Sequence, residues 1–166
     1  MKIIKILIIA VALILISALM LTGCKWGDKT PPDYPDPPVE SNAETFVETD
    51  APKLEKKDGG GVAGLTYKTD VYVYISSGTA SLYFANPNIS VDNVLVKIYA
   101  DGFRIAETGI LEPGTKITTL PLNDVGIRTI KTAGDFEGKF VVEFYDSETN
   151  EKSVLNTEIP ITVKVR

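Results

Sequence analysis

Residues 94–105 read VLVKIYADGFRI, in which two runs of alternating apolar residues flank one tight-turn signal. Asp101-Gly102 predicts a two-residue type I′ turn, because both central positions of that turn need a positive φ. A turn of this length fixes the register of the two strands. The predicted cross-strand pairs are Ala100 with Phe103, Tyr99 with Arg104, and Ile98 with Ile105. The segment therefore predicts an antiparallel hairpin with one apolar face.

The same period-two alternation, interrupted by turn signals, continues across residues 62–166. Residues 123–134 carry the weakest pattern, and Gly126 and the β-branched residues there argue against a long helix. Pro160 cannot donate to a strand ladder, so the last predicted strand lies at an edge or carries a bulge there. In that strand Leu155, Thr157, Ile159, Ile161, Val163 and Val165 share one predicted face. The further predicted strands are Val71–Ile75, Thr79–Ala85, Lys116–Leu122, Gly138–Asp146 and Lys152–Val165.

About seven short strands in about 105 residues predict an all-β domain, an immunoglobulin-like antiparallel β-sandwich. No helical pattern of 10–15 residues separates the strands, so a parallel α/β sheet is not expected. A small β-barrel is the alternative architecture. The predicted domain covers residues 62–166.

The C-terminal part of the domain carries a family resemblance. Residues 134–146 read GDFEGKFVVEFYD and residues 156–163 read NTEIPITV. Together they resemble the C-terminal hairpin of uncharacterised Ig-like domains in Gram-positive surface proteins. The entry to this hairpin is similar to the tyrosine corner of such folds, but Phe136 has no hydroxyl to make the corner hydrogen bond. The resemblance implies an Ig-like fold and brings no active site.

The first residues, MKIIKILIIAVALILISALMLTGC, have the pattern of a secretory signal peptide, with Lys2 and Lys5 ahead of an apolar stretch. The end of this segment, Leu21-Thr22-Gly23-Cys24, resembles the lipobox of bacterial lipoproteins. The resemblance implies that a peptidase recognises Leu21, Thr22 and Gly23 and cleaves before Cys24, whose thiol carries a diacylglyceryl group. Residues 1–23 are therefore predicted to be a lipoprotein signal peptide, and the mature protein is predicted to be lipid-anchored at the extracytoplasmic face of a bacterial cell membrane.

Two alternatives compete with lipid anchoring. Residues 6–24 contain no charge and would extend about 28 Å as a helix, close to the thickness of a bilayer core, so an uncleaved signal anchor is one alternative. A chance cysteine after an ordinary signal peptide is the other. The position of the chain's one cysteine favours the lipoprotein interpretation.

Residues 24–61 are predicted to be a disordered, proline-rich tether. Its stretch from Lys25 to Gly61 holds six of the ten prolines and nine acidic residues, with few apolar side chains to offset chain entropy. The prolines favour extended polyproline II, and Gly59-Gly60-Gly61 favours a flexible joint before the domain.

Composition excludes several kinds of chemistry. The chain has no histidine, one cysteine and a net charge of −5, so it can form neither an intrachain disulfide nor a Cys/His zinc site. The acidic charge also argues against nucleic-acid binding. The loop 146–151 is rich in oxygen ligands but lacks the glycine and the distal glutamate of an EF-hand, so no metal and no cofactor are predicted. Without histidine to activate a nucleophile, the chain is predicted not to be an enzyme.

The remaining candidate site is a surface of aromatic side chains that alternation directs away from the core. It comprises Tyr72, Tyr74, Tyr99 and Tyr145, together with Arg104, the predicted cross-strand partner of Tyr99. Such a strip can anchor a protein partner or stack sugars, although tyrosines that merely flank a sheet are the simpler interpretation. The predicted function is therefore a non-catalytic Ig-like module that binds or supports an envelope partner, protein or polysaccharide. The alternatives are a carbohydrate-binding module for cell-wall polymers and, second, an envelope hydrolase.

Overall fold

The computed structural model of the chain describes residues 36–47, 50–56 and 61–166. These residues fall within one structural unit, Asp36–Arg166. The predicted signal peptide, Cys24 and the first residues of the predicted tether lie outside the described residues. Within the described ranges no helix is long and apolar enough to cross a membrane.

The described residues form nine strands and one short helix, and the predicted strands of the domain are all present. The elements in chain order are β1 (Glu44–Thr45), β2 (Thr66–Tyr67), β3 (Asp70–Tyr74), β4 (Thr79–Asn86), β5 (Asn93–Ala100), β6 (Phe103–Glu107), β7 (Thr115–Pro121), α1 (Asp124–Thr129), β8 (Gly134–Tyr145) and β9 (Lys152–Val165).

The strands hydrogen-bond in the order β1-β7-β4-β3-β9-β8-β5-β6, with β2 added to β4. All pairs are antiparallel except β3 with β9, which is parallel. This order is that of an Ig-like sandwich, in which β7-β4-β3 forms one sheet, β9-β8-β5-β6 forms the other, and the parallel pair joins them. The path ends at β1 and β6, which are not paired with each other within the described residues. The all-β Ig-like prediction is therefore confirmed over the small barrel.

The core lies between the two halves of this path. Along β4 the even residues point inward, and along β8 the even residues do the same. Phe84 of β4 and Phe140 of β8 meet in the centre, with both side chains fully buried and ring centroids 5.4 Å apart. Aliphatic side chains from all the long strands surround this pair. Burial of these side chains is the main source of stability for the fold.

The hairpin at residues 94–105 forms with the predicted turn, since Asp101 and Gly102 have φ values of 49° and 79°. Ala100 pairs with Phe103 and Tyr99 pairs with Arg104, as predicted. The prediction that Ile98 faces Ile105 is wrong, because a β-bulge shifts the register between Ile98 and Tyr99, and Ile98 pairs with Ala106 instead. The extra residue in β6 allows Ile105 and Ala106 both to be buried. Phe103, predicted on the buried face, is 49% exposed beside the turn.

The chain that precedes the domain is more ordered than its composition predicts. Residues 36–47 and 50–56, here called the strap, pair with β7 at the sheet edge and with two connecting segments, at Ile110 and at Ile89. Val39 forms a parallel bridge with Ile110, β1 pairs with β7, and the Leu54 N–H donates to the Ile89 carbonyl at 2.8 Å. The predicted tether extended to Gly61 and included these residues. The strap is ordered through backbone hydrogen bonds, which an extended segment of any composition can form. The prediction of disorder counted only apolar side chains and therefore missed these bonds.

The segment predicted to lack a long helix contains only the six residues of α1. The Asn123 side chain caps this helix by accepting a hydrogen bond from the Gly126 N–H at 2.7 Å. Gly126 is required there because a Cβ would stand 2.6 Å from the Ile105 carbonyl oxygen. The helix therefore lies directly against β6.

Candidate functional site

The predicted tyrosine surface is divided between distant parts of the sheet. Tyr72 and Tyr74 lie exposed on β3, whereas Tyr99 is half-buried on β5 and pairs with the exposed Arg104 on β6. Both β9 and β8 stand between β3 and β5 in the strand order. The structure therefore does not bring these side chains together into one platform.

A lysine ammonium also lies over one face of two of these rings. The ammonium of Lys164 lies 5.5 Å from the ring centroid of Tyr72, and that of Lys139 lies 5.8 Å from the ring centroid of Tyr99. Lys164 is held in place by Asp70, whose carboxylate oxygen is 2.7 Å from the ammonium. The covered faces of Tyr72 and Tyr99 are less available for stacking a sugar, and the separation of the rings offers no shared platform, so this arrangement does not favour the carbohydrate-binding alternative.

Tyr145 was predicted to belong to the exposed surface, and this is wrong. The residue is 7% exposed and packs with Leu95 and Ile110 in a small second apolar cluster. Alternation does turn Tyr145 away from the main core, but the chain around Ile110 covers the outer side of the sheet there. Burial and the nearby carboxylate of Glu143 raise the pKa of the Tyr145 hydroxyl to about 12. The hydroxyl is therefore a hydrogen-bond donor, and it lies 3.1 Å from a Glu143 oxygen.

Glu143 is the centre of a charge cluster that the sequence did not predict. One of its oxygens contacts the Lys97 ammonium at 2.6 Å and the Lys152 ammonium at 2.7 Å. Burial opposes ionisation of this carboxyl, but the hydrogen bonds from Lys152 and Lys97 outweigh it, and the pKa lies below its usual value. The three residues lie on β8, β5 and β9, so the cluster could be found only once the strand order was known.

The acidic loop between β8 and β9 uses its oxygens within the protein. One carboxylate oxygen of Asp146 accepts the N–H groups of Glu148 and Thr149, each at 2.9 Å, and the other lies 2.5 Å from the Lys56 ammonium of the strap. The hydrogen bond from Lys56 is the largest reason why the pKa of Asp146 is well below its usual range. Within the described ranges no group of three or more Cys, His, Asp or Glu side chains could hold a metal ion.

The most exposed large apolar side chain of the described residues, that of Val154, lies on the first half of β9, and the exposed Leu155 follows it. Strand β3 pairs only with residues 162–165 of β9, so on that side the residues before Thr162 have no partner strand among the described residues. Val154 is 95% exposed and Leu155 is 61% exposed. The residues Lys152–Pro160 are here called the open half of β9.

A wide irregularity shapes this open half. Glu143 pairs with Asn156 and Tyr145 pairs with Lys152, so three residues of β9, 153–155, stand opposite Phe144 alone. Such an insertion bends a strand away from its neighbour. The alternation pattern predicted Leu155 on the buried face, but the buried face begins only at Ile159.

Backbone groups of the open half point away from the sheet. The N–H groups of Thr162 and Arg166 donate to carbonyls of Thr69 and Val73, on the β3 side, each at 2.8 Å. Because successive residues of a strand direct their N–H groups to opposite sides, the N–H groups of Asn156 and Glu158 face the same side. Pro160 belongs to the same set and has no N–H, which is why a strand can carry proline there. The predicted edge position of Pro160 agrees with this geometry.

No protein-family model and no curated protein matches this chain. Among solved structures, the chain is similar to the crystal structure of the periplasmic chaperone SfaE, with a TM-score of 0.38 and 12% sequence identity. The match covers 62% of this chain and 56% of that chain. This chain therefore matches little more than half of the length of that protein.

Proposed function

We propose that this protein is a lipid-anchored, non-catalytic Ig-like module on the extracytoplasmic face of a bacterial cell membrane, and that it binds a protein through the open half of β9. The observation that carries this proposal is the exposure of Val154 and Leu155 on a strand with one unpaired side. The unpaired backbone supplies affinity by strand addition, and the two apolar side chains supply contact area.

The shape of the edge supports binding of a short extended segment. Exposed edges attract any strand, and proteins restrict them with charge, proline and irregular pairing. Here Pro160 ends the edge at one side and Lys152 ends it at the other, so only a short extended segment fits between them. The two exposed apolar residues lie within that interval, in the irregular stretch near Lys152.

The sequence Leu21-Thr22-Gly23-Cys24 supports the lipid anchor. Two acyl chains on one cysteine hold a protein stably at a membrane, because each buried CH₂ contributes about 0.8 kcal/mol. Cys24→Ala is expected to leave uncleaved precursor and to abolish incorporation of labelled fatty acid. Gly23→Ala, which keeps a small residue before the cysteine, is the matched control and is expected to remain labelled. Labelling of the Cys24→Ala protein would contradict the anchor.

The binding role is tested by photo-crosslinking in intact cells. A photoreactive amino acid at Leu155 of the full chain is expected to form protein adducts. The same group at the exposed Thr119, on the outer face of β7, is the matched control and is expected to form few. Mass spectrometry of the adducts identifies the captured chain. Equal labelling at both positions, or adducts of polysaccharide alone, would overturn the proposal.

A further inference from the structure

We infer that the strap holds the domain close to the membrane, and that the partner bound at the open half of β9 is itself a membrane-held protein. This inference rests on the proposed lipid anchor and on the proposed binding role of that edge. Three features carry it. They are the attachment of the strap, the short length of chain before the strap, and the place where the strap begins on the domain.

The strap is fastened to the domain by backbone hydrogen bonds. Near its start, the Ile110 N–H donates to the Pro38 carbonyl at 2.8 Å, and the Glu40 N–H donates to the Ile110 carbonyl at 2.9 Å. Further along, the Phe46 N–H donates to the Gly114 carbonyl at 2.7 Å. Because these bonds begin so early in the strap, the attached part of the chain starts there and not at the first strand of the sandwich.

The chain between the predicted lipidated cysteine and the strap is short. Asp36, the first residue of the strap, follows Cys24 by 12 residues, which span at most about 43 Å when fully extended. If the strap were not attached, the attached part of the chain would start at Gly61, which follows Cys24 by 37 residues, and the limit would be about 130 Å. The strap therefore shortens the reach of the domain about threefold.

The strap begins on the same part of the domain as the open half of β9. Pro38 is hydrogen-bonded to Ile110, and Ile110 packs with Tyr145 in the second apolar cluster. Tyr145 pairs across the sheet with Lys152, the first residue of the open half. The exposed Leu155 follows closely along the same strand. The proposed binding edge therefore lies near the point where the chain from the proposed anchor joins the domain.

A short reach favours a partner that is held at the same membrane. Binding between two groups joined to one surface depends on the effective concentration of one near the other, which falls roughly as the −3/2 power of tether length once the tether exceeds the span. Reducing the tether from 37 to 12 residues therefore raises this concentration about fivefold. A protein dissolved in the envelope gains nothing from the shorter tether, because it can meet the edge at any height.

Insertion of a flexible spacer tests the reach in intact cells. The full chain carries the photoreactive amino acid at Leu155, and a Gly/Ser spacer of about 25 residues is inserted between Lys29 and Thr30. This spacer is expected to lower the yield of protein adduct about fivefold. The same spacer between Gly59 and Gly60 is the matched control, because it enters the chain after the strap and leaves the length from Cys24 to the strap unchanged. The control is expected to give the same yield as the chain without a spacer.

Two results of the spacer experiment would contradict the inference. Equal yields from all three chains would show that the partner needs no short reach. An equal loss in both spacer variants would show that the strap does not fasten the chain. Mass spectrometry of the adduct gives a second readout, since the captured protein is expected to have a membrane-spanning helix or a lipid anchor of its own. A captured protein with neither would also exclude a membrane-held partner.

These results separate the inference from the proposed function. If Leu155 captures a protein and the yield does not respond to the spacers, the binding role stands and the membrane-held partner is excluded. If Leu155 captures no protein in any of the three chains, the binding role fails as well. The lipid anchor is tested independently by the labelling of Cys24→Ala.

Discussion

The ring of Phe84 meets the ring of Phe140 edge to face, at an interplanar angle of 81°. The first lies on β4 and the second on β8, and these strands are not neighbours in the hydrogen-bonded order. The contact therefore crosses the core between the two sheets. Edge-to-face geometry is a favourable arrangement of two aromatic rings.

Truncation of either ring is expected to lower the free energy of unfolding substantially. Phe84→Ala should lower the free energy of unfolding by about 3–5 kcal/mol, because it removes a fully buried ring and leaves a cavity. The matched control is Phe103→Ala, since Phe103 is 49% exposed, and its effect should be no more than about 1.5 kcal/mol, half of what full burial of the ring contributes. Denaturant unfolding measures both. A loss for Phe84→Ala no larger than for the control would contradict the described core.

The strap offers a second prediction. A Cβ at Gly109 would stand 2.5 Å from the Pro38 carbonyl oxygen and 2.8 Å from the Glu40 nitrogen. Gly109→Ala should therefore displace the strap there and break the hydrogen bond from the Glu40 N–H to the Ile110 carbonyl. Hydrogen exchange at the Glu40 amide is expected to become faster.

Gly64→Ala is the matched control for the strap, because its Cβ would only touch the Ile89 side chain at 3.4 Å. Exchange at Glu40 is expected to stay unchanged in this variant. Protection at Glu40 that survives Gly109→Ala would show that the strap does not lie on this edge.

Acid stability should depend on Glu143. Its folded pKa lies below the usual value of 4.5, so ionised Glu143 stabilises the fold above that pH, and the contribution is lost as the pH falls through the lowered folded pKa. Glu143→Gln should lower the free energy of unfolding at neutral pH by about 1–3 kcal/mol, because it leaves Lys97 and Lys152 without their charged partner. Because glutamine does not titrate, the variant should also lose less stability than the parent as the pH falls below 4.5.

Glu158→Gln is the matched control for the acid-stability experiment. Its carboxylate also contacts a lysine, but its side chain is 60% exposed, so its effect on stability should be small. Urea unfolding at several pH values measures both variants. If the free energy of unfolding falls equally with decreasing pH in Glu143→Gln and in the parent, the described cluster is refuted.

Alkaline pH tests the buried phenol. The folded pKa of Tyr145 is raised from 10.0 to about 12, so stability is full below pH 10 and falls as the pH rises through this interval. When the pH is raised and tyrosine ionisation is followed by phenolate absorbance, the absorbance should show a step with a midpoint near pH 12. Tyr145→Phe should remove this step and Tyr72→Phe should leave it. Persistence of the step in Tyr145→Phe would assign it to another tyrosine.

Patterns within short stretches of the sequence correctly predicted the structural features that depend only on neighbouring residues. The Asp101-Gly102 turn, the Tyr99 and Arg104 pair and the extents of the long strands follow from turn chemistry and alternation. The bulge in β6 could not be predicted in this way, because it depends on how Ile105 and Ala106 fit the core together.

The site was harder to predict because each of its properties depends on a distant element. Tyr145 is buried because the chain near Ile110 packs over it, and alternation alone carries no information about such cover. Leu155 lies beside no strand on that side because β3 begins only opposite Thr162, so the preceding residues of β9 have no partner there among the described residues. The length of one strand therefore decides the environment of a residue on another, which a pattern read along a single segment does not contain.

The position of β9 between β3 and β8 also governs how the protein reaches its native state. Asp70 must meet Thr162, which follows it at a great distance in the chain, before the two sheets are joined. Contacts of such long range make folding slow, on the order of milliseconds to seconds for β-sandwich topologies. Because synthesis delivers about 5–20 residues per second, an emerging chain remains without its central strand for several seconds. The emerging chain therefore cannot lock into its final form before β9 has been made.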